Sequence, residues 1–119
     1  MPKPSDFVSH VLELLAAWGG VSARRMFSGY GLFRSGLMFA LIADDTLYLK
    51  ADDRTRGDFE AAGTRPFVYC RKGEAISLSY WEAPAELFDD PHEMVRWAQT
   101  ALGAASATHK AKPTRAKRR

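Results

Sequence analysis

Arg24-Arg25-Met26-Phe27-Ser28-Gly29-Tyr30-Gly31-Leu32-Phe33, then Gly36-Leu37-Met38-Phe39-Ala40-Leu41-Ile42-Ala43, then Leu47-Tyr48-Leu49-Lys50 hold the densest apolar and aromatic content of the chain. Runs of this length and composition, bounded by turn residues, read as strands. Gly29 and Gly31 interrupt the first run. Glycine inside a strand pattern points to a bulge, a sharp bend or a close backbone approach. The segment from Ala23 to Phe33 is therefore either two short extended pieces or one bent strand. Arg34-Ser35-Gly36 is a hairpin loop with glycine where a positive φ is needed. Leu37 to Ala43 is apolar without alternation, which implies a central strand covered on both faces. Asp44-Asp45 makes the next turn, and Thr46 to Lys50 alternates, giving a strand with one wetter face.

Upstream, Phe7, Val11, Leu14, Leu15 and Trp18 recur at helical spacing behind Ser5, a candidate N-cap, and Asp6. Gly19-Gly20 ends that helix. Downstream, Asp52 or Asp53 can cap a second helix over about residues 54–62, stopped by Gly63 and Pro66. Phe67 to Arg71 and Ala75 to Trp81 form a second hairpin around Lys72-Gly73. Asp90-Pro91-His92-Glu93 is a helix start: a cap, a proline at the first helical position and the acid of a capping box. Met94, Val95, Trp97, Ala98, Ala101 and Leu102 supply its packed stripe. The expected order is α-β-β-β-α-β-β-α. This is an α+β domain with a roughly five-stranded antiparallel sheet and helices on one or both faces. Residues 1–107 make the domain; residues 108–119 are expected to be a disordered basic tail.

The formal net charge of +3 is unevenly placed. Lys110, Lys112, Arg115, Lys117, Arg118 and Arg119 lie in the tail, which has no acid. Taking those six from 17 basic residues leaves 11 against 14 acids, so residues 1–107 sum to −3. The basic pI belongs to the tail, and the domain itself gives no electrostatic signal for nucleic acid. Six tail charges on phosphates would make log K fall with log salt at a slope of about −5; the same six equally describe a solvated, solubilising terminus. No apolar run approaches the roughly 18 residues of a membrane span. The N-terminus lacks the apolar core of a signal peptide. The single cysteine, Cys70, cannot form an internal disulfide. The expected location is the cytoplasm.

No chemistry assembles from the motifs. Gly29-Tyr30-Gly31 lacks the third glycine, the helix and the Lys-Ser/Thr of a phosphate loop. His10, His92 and His109 are scattered, and no metal-ligand spacing occurs. Cys70, beside Arg71, reads as an inert thiol. The paired acids 44–45, 52–53 and 89–90 fall at turns and caps. The expectation is a non-enzyme without catalytic residues, cofactor or metal. Arg24 and Arg25 point to opposite faces of any strand. One is expected to be solvated and one paired with an acid such as Asp44 or Glu82; alternatively they anchor a partner's carboxylate or phosphate. Tyr30, Tyr48, Tyr69, Tyr80, Trp81 and Phe33 could be core, a base-stacking platform or a dimer interface. Most are read as core, with one exposed patch buried in a homodimer. Arg24, Arg25, Tyr30 and Trp81 are the candidate partner-binding residues, and the six tail cations the candidate nucleic-acid contacts.

The three runs quoted first, with Phe67-Val68-Tyr69 and Leu78-Ser79-Tyr80-Trp81, resemble the N-terminal domain of the TfoX/Sxy competence regulators over about residues 5–105. The resemblance implies a bacterial cytoplasmic protein, a secretion-chaperone-like α+β fold and a role in regulating transcription through partners rather than catalysis. Full-length members carry a second helical domain, where this chain has a tail of twelve residues, six of them basic. The resemblance supplies no catalytic or cofactor residues.

Overall fold

The computed structural model describes residues 6–26, 29–71 and 73–116, without the side chains of residues 69–71, 74–78 and 108–116. Helix α1 spans Asp6–Leu14 and continues as turns to the Gly19-Gly20 pair, whose φ angles of 80° and 77° leave the helical region. Ser5, the expected cap, lies outside the described residues. Four strands follow: β1 (Ser22–Met26), β2 (Gly29–Arg34), β3 (Leu37–Ala43) and β4 (Thr46–Lys50). Helix α2 (Arg56–Ala61), β5 (Pro66–Arg71), β6 (Glu74–Glu82), a 3-10 turn (Ala85–Asp89) and α3 (Pro91–Ala116) complete the chain. The sheet is antiparallel throughout, in the order β1-β2-β3-β4-β6-β5.

The sheet has six strands where about five are expected. The stretch before Phe33 is a hairpin: Met26 pairs with Gly29, and Ser22 with Phe33. Gly29 permits this because its backbone lies against the backbone of Ile42 in β3, with no room for a Cβ. The turns between β2, β3 and β4 use left-handed backbone at Ser35, Gly36, Asp44 and Asp45 (φ 53–79°). Such primed turns match the twist of the flanking strands.

Both faces of β3 are not covered, contrary to expectation. Leu32 pairs with Ala40 but Phe33 pairs with Met38, so Phe39 is an extra residue, a β-bulge. The bulge turns Phe39 and Ala40 to the same side, and both are fully buried. What reads as unbroken hydrophobicity is an alternating strand with its phase shifted once.

One face of the sheet carries all the helices. Leu32, Phe39, Ala40, Ile42, Leu47 and Leu49 form a single core cluster with Val8, Val11 and Leu15 of the α1 segment and Met94, Ala98 and Ala101 of α3. Phe59 of α2 meets Trp81 and Trp97, with ring centroids 6.1 and 5.1 Å apart. Arg34 fastens the α1 turn to the sheet. Its Nε donates to the Gly19 carbonyl at 2.7 Å, and its guanidinium lies 4.4 Å from the Trp18 ring, which makes a T-shaped contact with Phe39.

Helix α3 starts as expected. Asp90 Oδ1 accepts from the Glu93 amide at 3.2 Å, and Pro91 opens the helix. The Glu93 carboxylate departs from the capping-box expectation by turning to Arg96, 2.7 Å away. Helical backbone continues past the buried Ala104 and Ala105 to Ala116, through Pro113. Residues 117–119 lie outside the described ones. No helix among the described residues is long and apolar enough to cross a membrane.

Candidate functional site

The strand registers divide the sheet residues cleanly. Opposite the helices lie Arg24 and Met26 of β1; Gly31 and Phe33 of β2; Met38 and Leu41 of β3; Tyr48 of β4; and Tyr80 and Glu82 of β6. The larger apolar members of this set are partly exposed, and none belongs to the core or packs against it. Nothing among the described residues covers them. An antiparallel sheet commonly leaves one face to water, but such a face is then polar, and this one is mainly apolar.

Local chemistry fixes the surface. At Gly31, an added Cβ would lie 2.7 Å from the Met26 sulfur, 2.9 Å from the Met38 sulfur and 3.0 Å from the Phe33 ring. Glycine is therefore what allows the three large side chains to converge. The Arg24 guanidinium lies over Phe33, 4.7 Å from its centroid. Further along, the Tyr48 and Phe67 rings meet edge-on at 4.9 Å. Lys50 Nζ stands 5.1 Å from the Tyr80 centroid and donates to Ser79 Oγ.

Tyr80 lies across this face. Pairing between β3 and β4 ends at Ala40 and Leu49, and the Tyr80 hydroxyl donates to the Met38 carbonyl beyond it, at 3.1 Å. Burial pushes its pKa up to about 12. A raised tyrosine pKa means stability that is intact below the unfolded value near 10 and lost as pH rises through the folded value. Tyr80→Phe is expected to cost about 1 kcal/mol at neutral pH and to flatten the decline in stability between pH 10 and about 12. Urea titrations at several pH values check both. An unchanged alkaline decline would show that another group causes it.

The four candidate partner residues do not converge. Arg24 is on the open face. Arg25, opposite Tyr30, is on the helical side, and both arginines are exposed. Neither forms an ion pair among the described residues, so the expected bridge to Asp44 or Glu82 is not made. Tyr30 and Trp81 pack against the core on the helical side. Lys110, Lys112 and Arg115 sit on the backbone of α3 with side chains not described; Lys117, Arg118 and Arg119 lie outside the described residues. Met26, Met38 and Leu41 escaped the sequence reading as surface residues. Their signal is the strand register, which the bulge at Phe39 conceals.

An open cleft of about 290 Å³ lies at the other end of the sheet, lined by Ala51, Asp52, Asp53, Arg56, Pro66, Ser79 and Trp81. Its charged groups are already committed. Asp52 accepts from the Arg54 and Thr55 amides and pairs with the Arg54 guanidinium. Burial raises the Asp52 pKa, but these bonds together outweigh it and hold the carboxyl below its usual range. Arg56 pairs with Asp53 and Glu60. Ser79, on the wall of the cleft, accepts a hydrogen bond from Lys50 Nζ at 2.7 Å. Among the described residues no His, Cys, Asp and Glu side chains gather into a metal site.

Residues 13–105 match the family model of the TfoX N-terminal domain. The chain is 31% identical over 85 residues to the DNA transformation protein TfoX1 of Aliivibrio fischeri, covering 71% of this chain and 40% of that protein. It is 26% identical over 103 residues to protein Sxy of Escherichia coli, covering 87% of this chain and 49% of that protein. The chain thus spans less than half the length of either relative.

Proposed function

Because the chain belongs to the TfoX N-terminal domain family, we propose that it is a non-enzymatic regulatory module that works by binding proteins, and that its open sheet face pairs two copies. One observation carries this reading: a continuous surface of Met26, Phe33, Met38, Leu41 and Tyr48 that the domain's own core does not use. Aromatic residues, methionine and arginine are the types enriched where protein surfaces meet.

The charge layout suits a two-fold contact. Arg24 on β1 and Glu82 on β6 share the open face at well-separated strands. Two copies stacked about a two-fold axis can bring each arginine toward the other's glutamate, as an isologous interface requires. The Aliivibrio fischeri relative is named for DNA transformation, and its name gives no reaction. That agrees with a module that recruits rather than converts.

Light scattering on a size-exclusion column tests the pairing. The parent chain is expected to run as a dimer and Leu41→Asp as a folded monomer, since Leu41 lies outside the core. A monomeric parent at high concentration would remove the two-copy contact. Removing residues 108–119 is expected to leave the dimer unchanged. Loss of duplex-DNA binding on that same truncation would instead show the tail cations to be a nucleic-acid contact.

A further inference from the structure

Stacking through the open face leaves free the backbone edge of the sheet and Arg25, which is on the helical side. β1 is the terminal strand, and Ser22, Ala23, Arg24 and Arg25 are all exposed. An edge strand offers alternate unpaired N–H and C=O groups to another chain. The opposite edge, β5, begins at Pro66, which has no N–H to offer. β1 carries no proline, and no strand among the described residues pairs with its outer edge. Its protection is charge alone: Arg24 and Arg25, consecutive and on opposite faces.

Those two charges lack the carboxylate partners that Arg54, Arg56 and Arg96 have. Arg54, Arg56 and Arg96 each hold a carboxylate within 4 Å. Arg25 has no ion pair among the described residues, and Arg24 has only the Phe33 ring. The rest of residues 1–107 is acidic on balance, so this positive edge is an exception on the domain's surface.

We propose that β1 takes up an extended acidic segment of a partner protein as a seventh strand, with two consecutive acids in that segment meeting Arg24 and Arg25. The inference rests on reading the chain as a protein-binding module, not on the dimer. Strand geometry fixes the spacing. Side chains directly opposite one another share a face, so arginines on opposite faces require neighbouring acids in the partner strand. The backbone ladder would supply affinity and the acid pair specificity, as in other strand-addition complexes. A second copy of β1 is a poor occupant, because antiparallel self-pairing sets arginines opposite or diagonal to arginines, which is destabilising. A nucleic acid is a poorer one. Phosphates do not continue a backbone ladder.

The probe is the capped peptide Thr-Val-Thr-Glu-Glu-Thr-Val-Thr, with Lys-Lys replacing Glu-Glu as its control, titrated into the full chain by NMR. The expected result is saturable binding at least tenfold tighter for the Glu-Glu peptide, with slowed amide exchange confined to residues 22–26. The double reversal Arg24→Glu with Arg25→Glu, both exposed and outside the core, should keep the fold and exchange the preference toward Lys-Lys. Equal binding of both peptides, no binding, or protection outside β1 would overturn the proposal. So would duplex DNA displacing the peptide from β1. Leu41→Asp separates this from the dimer reading: peptide binding is expected to survive in the monomer.

Discussion

Phe39→Ala is expected to lower stability by about 3–5 kcal/mol, the usual cost of removing a buried ring. Phe39 is fully buried, and its position rests on the bulge that turns it inward beside Ala40. Its ring meets Trp18 in a T-shaped contact at 5.4 Å and 73°. Trp18 in turn lies under Arg34, which also bonds the Gly19 carbonyl. A cavity at residue 39 therefore loosens the join between the α1 turn and the sheet as well as the core itself. Urea unfolding should show a lower midpoint with an unchanged slope. Phe39→Leu, which keeps most of the volume, should cost about 1–2 kcal/mol. A loss below 1 kcal/mol for the alanine variant would mean that Phe39 is not the centre of the core.

Gly29→Ala should be as damaging for a different reason. A Cβ at this position would collide with the Ile42 backbone carbonyl, and backbone in mid-sheet cannot step aside as a flexible side chain can. Relief requires β2 to separate from β3, which would also disturb the Gly29–Met26 pairing that closes the first hairpin. The expected cost is about 4 kcal/mol or more, in the range reserved for steric failures of the backbone. Amide exchange should accelerate first in β1 and β2. A control comes from Gly57, where an added Cβ meets nothing within 4 Å. Gly57→Ala lies in helix α2 and should be neutral or stabilising by up to about 1 kcal/mol. If both variants behaved alike, the close approach at Gly29 would be wrong.

These two positions also show how differently a glycine and a phenylalanine reveal themselves in sequence. Gly29 announces that something unusual happens, but two strands and one bent strand are both consistent with it. The distinction depends on whether residues 22–26 fold back on residues 29–33, a pairing that no local propensity encodes. Phe39 announces only that it is apolar. A bulge adds one residue to a strand without any required residue type, so the run from Leu37 to Ala43 looks covered on both faces when a single slip of phase accounts for it.

The candidate surface was legible in part for the same reason. Arg24 and Arg25 stand out as adjacent charges in an apolar run, and strand periodicity places them on opposite faces. Tyr30 and Trp81 were grouped with them because tyrosine and tryptophan occur in cores and interfaces alike. Their registers, opposite Ile42 and Leu49, put them on the helical side. Met26, Met38 and Leu41 carry no mark that separates an interface residue from a core residue.

The amino-acid sequence by itself determined most of the elements: where the last helix begins, which turns are tight, and that the strands pair antiparallel. It could do so because capping, left-handed turns and hydrophobic period are interactions over a few residues, with energies set by local geometry. Only the tertiary structure decided which face the helices cover and which apolar residues they leave over. That choice depends on strand register and on one inserted residue, which move a whole set of side chains from one face to the other without changing the composition of any segment.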